Sequence, residues 1–248
     1  MENAQYDSIA EQYRRSKSSP IRHFIEEYTF MELVGDVRGK RVLDLACGEG
    51  FYSRRLKTAG AASVLGVDIS REMIELARAQ EADEPQGVDY LRADAAMLNE
   101  LDLGSFDIVV AAYLLHYAPD ETALRRMCAN IAACLPDGGR FVTLNENPEQ
   151  PGERFSGYEQ YGFNKTAQLP LRDGTEITYW MIAGREMFQI HARWFSRATY
   201  ERALHAAGFR SIEWQPLRLD DAGIEAHGRE YWQEYLNNPP IVGIECRV

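Results

Sequence analysis

The chain has 248 residues, of which 45% are apolar and 26% charged, a composition typical of a globular domain rather than of a fibrous or disordered chain. The net charge is −11 and no dense run of lysine and arginine occurs, which argues against a nucleic-acid substrate, because such binding neutralises phosphates. Neither the cysteines nor the histidines have metal-ligand spacing, so no metal site is expected. The longest apolar run, residues 108–115, is too short to span a bilayer, and we expect a cytoplasmic protein without membrane contact.

The N-terminal part predicts two helices ahead of the first strand. Apolar residues recur at helical spacing within residues 6–13 and again within residues 20–28, after a serine-rich break. Tyr6 and Tyr13 lie on the apolar face of the first helix, and a buried tyrosine hydroxyl needs a partner. We therefore expect residues 1–36 to form a helical cap over a ligand, although helices that only cover the core would show the same pattern.

Residues 42–50 are the most informative segment of the chain. Their sequence, VLDLACGEG, is a short apolar run that contains Asp44 and ends in Gly48 and Gly50. Such a run predicts a buried parallel strand, and the two glycines predict a tight turn where the main chain can approach a ligand. The dinucleotide fingerprint requires a third glycine three positions later, where this chain has Ser53, so the pattern disfavours a nicotinamide dinucleotide.

Two more acidic residues follow later predicted strands. Asp68 ends the run VLGVD, and Asp94 follows the run VDYLR. A carboxylate at the end of the second strand can accept both hydroxyls of a ribose, and a carboxylate after the third strand can accept an adenine amino group. Together with Asp44 they would surround a cationic ligand, which suits a sulfonium and an ammonium better than a diphosphate.

These motifs resemble those of class I S-adenosylmethionine-dependent methyltransferases, over roughly residues 37–146. The resemblance implies an α/β, Rossmann-like fold with a mostly parallel seven-stranded sheet and helices on both faces, and S-adenosyl-L-methionine as the cofactor. It also implies the residues that bind the cofactor. The matching segments are 42–50, 66–70 with Met73, Asp94, 106–117 and 135–139. The cofactor-binding residues are Tyr13, Asp44, Ala46, Gly48, Gly50, Asp68, Ile69, Met73, Asp94, Ala95 and Ala111.

The N-terminal sequence YDSIA at residues 6–10, with Tyr13, is similar to the small-molecule branch of that class. This branch includes ubiquinone-type C-methylases and the N-methyltransferases of azapteridine (toxoflavin-type) pathways. Asp137 departs from the family pattern, since many relatives have a proline followed directly by two glycines there. That position is expected to lie far from the cofactor.

After the core at residues 37–145, residues 146–195 predict an antiparallel flap. Strand-like runs occur at residues 167–171, 175–182 and 186–195, and aromatic residues are frequent. Placed after the fifth strand, the flap would cover the ends of the strands where ligands bind, although plain packing or a dimer contact would also explain the aromatic residues. The expected substrate-contacting residues are Tyr6, Tyr113, Tyr117, Tyr158 and Trp180.

The C-terminal part, residues 196–248, predicts one helix and two final strands that complete a single domain over the whole chain. Residues 211–217 and 241–248 are the strand-like runs. The acidic stretch 220–235 between them is compatible with a further helix or with a mobile surface segment. The oligomeric state cannot be predicted from these patterns.

The predicted function is methyl transfer to a nitrogen or oxygen of a small, flat heteroaromatic molecule, such as an azapteridine. His116, just after the fourth strand, is the candidate general base, with activity rising through a pKa near its usual value of about 6.5. A histidine that only positions the substrate is the alternative. Carbon methylation of a quinone precursor is a second possible reaction. A nicotinamide-dependent oxidoreductase and a non-catalytic cofactor-binding protein are alternatives of other classes.

Overall fold

The computed structural model describes residues 5–16, 19–184 and 186–248. Its larger sheet has seven strands in the order β3-β2-β1-β4-β5-β10-β9. The first five strands pair in parallel, and β10 is antiparallel to both of its neighbours. The strands are β1 (Arg41–Leu45), β2 (Ser63–Asp68), β3 (Val88–Arg92), β4 (Ile108–Ala112), β5 (Arg140–Glu146), β6 (Phe163–Ala167), β7 (Thr175–Ala183), β8 (Glu186–Trp194), β9 (Ser211–Gln215) and β10 (Ile241–Arg247).

The helices lie between the strands as the alternating pattern predicts. Ser70 begins α4 by accepting a hydrogen bond from the backbone N–H of Met73, at 3.2 Å, and Asp120 caps α5 through the N–H of Ala123, at 2.8 Å. The apolar faces of these helices are buried against the sheet. The helices are α1 (Ala10–Ser16), α2 (Tyr28–Val34), α3 (Phe51–Thr58), α4 (Arg71–Asp83), α5 (Glu121–Ala133), α6 (Arg197–Ala206), α7 (Asp221–His227) and α8 (Arg229–Asn237).

The order of the strands reverses between β1 and β4, which creates a crevice beyond the carboxyl ends of these two strands. Each strand is followed there by a residue with positive φ that is not glycine: Ala46, at 54°, follows β1, and Tyr113, at 70°, follows β4. Such conformations are costly for residues with a Cβ and tend to occur at functional sites. They therefore mark this end of the sheet as the place to look for a site.

The N-terminal helices differ from the sequence prediction in one important detail. Residues 22–27 form a π-helix that continues directly into α2, where the apolar spacing predicted an ordinary α-helix. In the wider turn of a π-helix, side chains five apart are neighbours, which changes the set of residues that faces inward. As a result, Glu26 is buried together with Ile25.

The flap is present as a separate three-stranded antiparallel sheet in the order β6-β7-β8. The last two predicted strands are confirmed, but the prediction of a strand at residues 167–171 was wrong, because β6 begins four residues earlier, at Phe163. The acidic stretch after β9 forms α7 and α8, and Trp232 and Tyr235 of α8 are buried. Among the described residues no helix is both long and apolar enough to cross a membrane.

Candidate functional site

Two adjoining cavities open at the carboxyl ends of the central strands. The larger has a volume of about 720 Å³ and is lined by Ala46, Gly48, Asp68 and Asp94, and we call it the strand-end cavity. The smaller, of about 280 Å³, lies between the flap and the N-terminal helices and we call it the flap cavity. The residues that line only the flap cavity include Glu26, Tyr161, Phe163, Tyr179, Met181, Ile190 and Tyr235.

Asp68, the last residue of β2, is held in a fixed orientation at the floor of the strand-end cavity. Its Oδ2 accepts a hydrogen bond from the backbone N–H of Gly48, at 2.8 Å, and its Oδ1 accepts one from the N–H of Ser70, also at 2.8 Å. Gly48 has a φ of 57°, which aims its N–H at the carboxylate across the turn. Two backbone donors therefore orient this carboxylate at the floor of the cavity.

Asp94 occupies the equivalent place after β3. Its Oδ1 caps the following turn by accepting from the N–H of Ala96, at 2.8 Å. Ile69, Met73 and Ala95 line the same cavity with apolar surface. The strand-end cavity thus has two carboxylates at neighbouring strand ends, separated by apolar side chains, as the sequence predicted.

Three of the predicted cofactor residues are not in the cavity wall. Asp44 is buried beneath the turn, where its Oδ2 accepts a hydrogen bond from the hydroxyl of Ser53 at 2.5 Å. Ala111 is fully buried inside β4. A Cβ at Gly50 would lie 2.1 Å from the hydroxyl of Tyr90, so the space left by this glycine is taken by a side chain of the core.

Six residues line both cavities and form the wall between them. The hydroxyls of Tyr6 and Tyr117 share a hydrogen bond of 2.5 Å, and Tyr6 packs edge-on against Tyr13 with ring centroids 5.0 Å apart. The two cavities therefore adjoin along these side chains, and molecules that occupied both would meet beside them. The six are Tyr6, Tyr13, Arg22, Tyr113, His116 and Tyr117.

The outer side of this wall is attached to the flap and to the large sheet by the first described residues. The side-chain amide of Gln5 donates to the carbonyl of His191 at 3.1 Å and accepts from its N–H at 3.0 Å, so that it pairs with strand β8 as another strand would. The carboxylate of Asp7 accepts a hydrogen bond from the hydroxyl of Ser70 at 2.5 Å. The N-terminal segment is thus linked to both sides of the strand-end cavity.

His116 is buried and belongs to the wall between the cavities. Its Nδ1 lies 2.8 Å from Oδ1 of Asn145 and 3.3 Å from the backbone N–H of Glu146. The contact with Asn145 requires a hydrogen on Nδ1, whereas the contact with Glu146 requires a lone pair there, so the two contacts are alternatives and do not select a tautomer. Burial lowers the pKa of His116 to about 4, against the opposing effect of Asn145, so the ring is neutral at pH 7.

A buried carboxylate, Glu26 of the π-helix, lies at the flap cavity. It accepts hydrogen bonds from Arg22 at 2.8 Å, from the hydroxyl of Tyr235 at 3.0 Å and from the hydroxyl of Tyr113. Burial opposes the charge of Arg22, but Glu26 and the surrounding tyrosines raise the pKa of the guanidinium well above its usual value. The guanidinium therefore remains charged beside Glu26.

A second buried carboxylate, Glu146, lies at the end of β5. It forms an ion pair with Lys165 of the flap and accepts a hydrogen bond from the hydroxyl of Tyr179. Lys165 also lies over the ring of Phe155, with Nζ 4.1 Å from the centroid. Burial lowers the pKa of Lys165 in spite of the neighbouring carboxylate. This pair attaches the flap to the large sheet.

Two of the predicted substrate residues are not brought to either cavity. Tyr158 is 1% exposed, and its hydroxyl donates to the carbonyl of Asn238 within the core. Trp180 is 37% exposed and lies on the outer face of the flap, where its ring N–H donates to Thr166 at 3.0 Å. Side chains alternate along a strand, and β7 turns Tyr179, not its neighbour Trp180, towards the cavity.

Sequence analysis did not find the two buried carboxylate–cation pairs. Arg22 and Glu26 are four apart, the spacing of an ordinary surface ion pair on an α-helix, and only the π-helix turns them inward. Glu146 and Lys165 belong to different sheets. The one available signal was the polar run after β5, residues 145–147, where a buried strand ends in Asn-Glu-Asn.

Comparison with known proteins places these residues in a family context. Residues 42–139 match the family model described as a methyltransferase domain. A ubiquinone biosynthesis O-methyltransferase of Neisseria meningitidis is 37% identical over 116 residues, which covers 46% of this chain and 48% of that protein. The chain thus spans about half the length of the curated relatives that it matches first.

Solved structures resemble the chain over nearly its whole length. An S-adenosylmethionine-dependent methyltransferase from Mesorhizobium loti has a TM-score of 0.63 at 23% identity and covers 94% of this chain and 100% of that one. The cyclase SpnF has a TM-score of 0.63 at 17% identity and covers 98% and 93% of the two chains. At these identities the likeness shows the fold, and the second structure shows that this fold is compatible with another reaction.

Proposed function

We propose that this chain, whose residues 42–139 form a class I S-adenosylmethionine-dependent methyltransferase domain, transfers a methyl group to an oxygen or nitrogen of a small planar molecule. The observation that carries the proposal is the pair of cavities with one shared wall. The strand-end cavity would hold the cofactor, the flap cavity would hold the acceptor, and the reacting atoms would meet at the wall formed by His116 and the tyrosines.

The family match confirms the methyltransferase class predicted from the sequence motifs, to which S-adenosylmethionine belongs as the cofactor, and the structural neighbours confirm the fold. The acceptor is a finer question. The curated relatives that match first are named O-methyltransferases of ubiquinone biosynthesis, which favours oxygen over the nitrogen of an azapteridine as the methylated atom. Carbon methylation of a quinone precursor stays an alternative, since these names also refer to quinone biosynthesis.

The residues of the strand-end cavity fit S-adenosylmethionine. Asp68, oriented by the N–H groups of Gly48 and Ser70, would accept hydrogen bonds from the ribose hydroxyls, and Asp94 would accept one from the adenine amino group. The turn at Ala46 and Gly48, where φ is positive at both residues, would lie against the methionine part. Two carboxylates at adjacent strand ends suit a ribose and an amino group and would repel the diphosphate of a nicotinamide dinucleotide.

The cofactor supplies a methyl group on a sulfonium, and the sulfur keeps the electron pair of the broken bond. The protein's main contribution is then to bring the acceptor atom close to that methyl group and to exclude water. The wall next to the proposed methyl position is aromatic and consists of Tyr6, Tyr13 and Tyr117. A carboxylate there would stabilise the positive sulfonium of the ground state more than the transition state and would slow the transfer. The new bond forms between the acceptor oxygen or nitrogen and the methyl carbon.

The acceptor loses a proton in this reaction, and with a pKa of about 4 His116 is too weak a base to remove it before attack. The proton would then pass to solvent, and His116, which lines both cavities, would orient the acceptor by a hydrogen bond. We therefore favour the positioning role. Any rise of activity that depends on His116 should lie near pH 4 and not near 6.5.

The proposal is tested with the purified chain in two steps. Calorimetry with S-adenosylhomocysteine measures occupation of the strand-end cavity, with Asp68→Ala as the variant that should weaken binding. Transfer of a labelled methyl group from S-adenosylmethionine to a small-molecule extract then measures the reaction. Binding of neither cofactor form would overturn the proposal, and binding without transfer to any acceptor would favour a cyclase-like or non-catalytic protein on the same fold.

A further inference from the structure

In the flap cavity, three tyrosine hydroxyls can act toward a ligand only as hydrogen-bond acceptors. Three of its tyrosines donate their only hydroxyl hydrogen to a buried carboxylate: Tyr113 and Tyr235 to Glu26, and Tyr179 to Glu146. Burial, followed by the nearby carboxylate, raises the pKa of each of these phenols well above its usual value, so they stay protonated. Each oxygen can therefore offer a ligand only lone pairs.

Other lining groups either share this polarity or carry donors. Glu26 is itself an acceptor, and Tyr161 and Ser19 already donate their hydroxyl hydrogens to backbone carbonyls. Donors remain at the Tyr6–Tyr117 pair, which uses one of its two hydroxyl hydrogens, at the amide of Gln160 and at Arg22, one N–H of which donates to Glu26. The three tyrosines bound to carboxylates are therefore the part of the lining that can only accept.

A ligand that fills this cavity displaces water from these oxygens and must replace the hydrogen bonds that water donated. A buried acceptor without a donor lowers affinity, and a site built to hydrogen-bond an O–H or N–H strongly rejects an analogue that lacks it. The acceptor-only groups lie on different sides of the cavity, since Tyr235 comes from α8, Tyr179 from the flap and Tyr113 from the end of β4. Donors are thus required on more than one edge of the ligand.

We propose that the methyl acceptor is a compact planar molecule that carries at least two O–H or N–H donors on different edges, and that carboxylated or fully alkylated aromatic molecules are excluded. This inference rests on the proposed function, because it takes the flap cavity as the acceptor site. The cavity volume of about 280 Å³ is at the low end of the range of about 300–1,000 Å³ for small-molecule pockets, which fits one or two fused rings.

The test uses four probes of one shape, titrated by calorimetry into the protein saturated with S-adenosylhomocysteine. They are 2,6-dihydroxynaphthalene, 2,6-diaminonaphthalene, 2,6-dimethoxynaphthalene and naphthalene-2,6-dicarboxylate. The diol and the diamine should bind, and the diether and the dicarboxylate should bind about 10-fold more weakly or not at all. The diamine has N–H donors but is not acidic. Its binding would therefore show that hydrogen-bond donation, and not the acidity of the diol, determines affinity.

The matched variants are Tyr179→Phe and Tyr235→Phe, since both tyrosines line the flap cavity alone. Each should reduce the preference for the diol over the diether by about 2–10-fold. Tyr231→Phe is the control, because this hydroxyl donates to the carbonyl of Gln160 and the residue lines neither cavity.

Affinity for S-adenosylhomocysteine is measured for every variant and reports the fold and the cofactor site independently. A diether or dicarboxylate that binds as well as the diol would overturn the inference, and so would failure of both donor-bearing probes to bind. A preference unchanged in both phenylalanine variants would also overturn it. Loss of cofactor binding in the parent protein would instead contradict the proposed function itself.

Discussion

The two cavities are built from contacts of very different range along the chain. In the strand-end cavity the oriented carboxylates accept from backbone N–H groups close in sequence: Asp94 from Ala96, two residues away, and Asp68 from Gly48, 20 residues away. In the flap cavity Glu26 accepts from Tyr235, which is 209 residues away. The strand-end cavity, our proposed cofactor site, is thus encoded locally, and the flap cavity, our proposed acceptor site, depends on the assembly of distant side chains.

The largest expected effect comes from breaking the ion pair that joins the flap to the large sheet. Lys165→Met leaves Glu146 charged and buried without its cation, which should destabilise the fold by about 3–5 kcal/mol. Urea unfolding measures this loss. The double variant Lys165→Met with Glu146→Gln should recover most of the lost stability, since it leaves no buried charge unpaired.

An unfolding free energy of Lys165→Met within about 1 kcal/mol of the parent would show that Glu146 is protonated or hydrated and that the pair does not attach the flap.

The second largest effect is expected in the strand-end cavity. Asp68→Ala should weaken binding of S-adenosylhomocysteine by about 1.5–3 kcal/mol, because a charged partner of hydrogen-bonded groups is removed. Calorimetry measures it. Asp89→Ala is the control, since this carboxylate is exposed on β3, near the same sheet edge but outside the cavity. Equal affinities of Asp68→Ala and the parent would remove Asp68 from the cofactor site.

His116 lies where the two cavities adjoin, and its lowered pKa makes the unfolding free energy depend on pH. The unfolded chain protonates this histidine near pH 6.5, whereas the folded chain does so near pH 4, so the contribution is complete above 6.5 and is lost as the pH falls towards 4. Between pH 7 and 5 the parent should lose about 2 kcal/mol more unfolding free energy than His116→Gln. Urea titrations at pH 7 and pH 5 measure the unfolding free energies of both proteins. Equal losses in the parent and in His116→Gln would show that the pKa of the buried ring is not lowered.

The smallest effect is expected at Trp180, which the aromatic pattern placed in the substrate wall. Its ring lies on the outer face of the flap, so Trp180→Ala should change neither the acceptor KM nor cofactor affinity by more than about 2-fold, and stability by about 0.5 kcal/mol. Kinetics with any identified acceptor decides this. A KM raised 10-fold or more would mean that the outer face of the flap contacts substrate.

The sequence was sufficient for features that depend on short-range patterns. The apolar strands and the carboxylates at the ends of β2 and β3 were predicted, because each is determined by residues a few positions apart. Asp44 was assigned to the ligand since it shares that pattern, but the strand turns its side chain away from the cavity, towards Ser53.

The acceptor side could not be predicted in the same way. A periodicity of 3.6 residues assigns Arg22 and Glu26 to solvent, and a π-helix, which no local motif indicated, turns them inward. In the flap the register decides which aromatic residues face the cavity, and the first predicted strand was misplaced by four residues. Abundance of aromatic residues therefore predicted an aromatic cavity without identifying the residues that line it.

The attachment of the N-terminal segment has a consequence for how fast ligands exchange. Gln5 makes two hydrogen bonds to the backbone of His191, and Asp7 makes one to Ser70. Three such bonds near solvent are worth about 2–4 kcal/mol together, so a detached segment would have a population of roughly 0.1–3%. If a ligand enters only when the segment is detached, its association rate is reduced in proportion to the population of the detached form. Replacing Gln5 by alanine would then raise the association and dissociation rates together and leave the equilibrium affinity nearly constant.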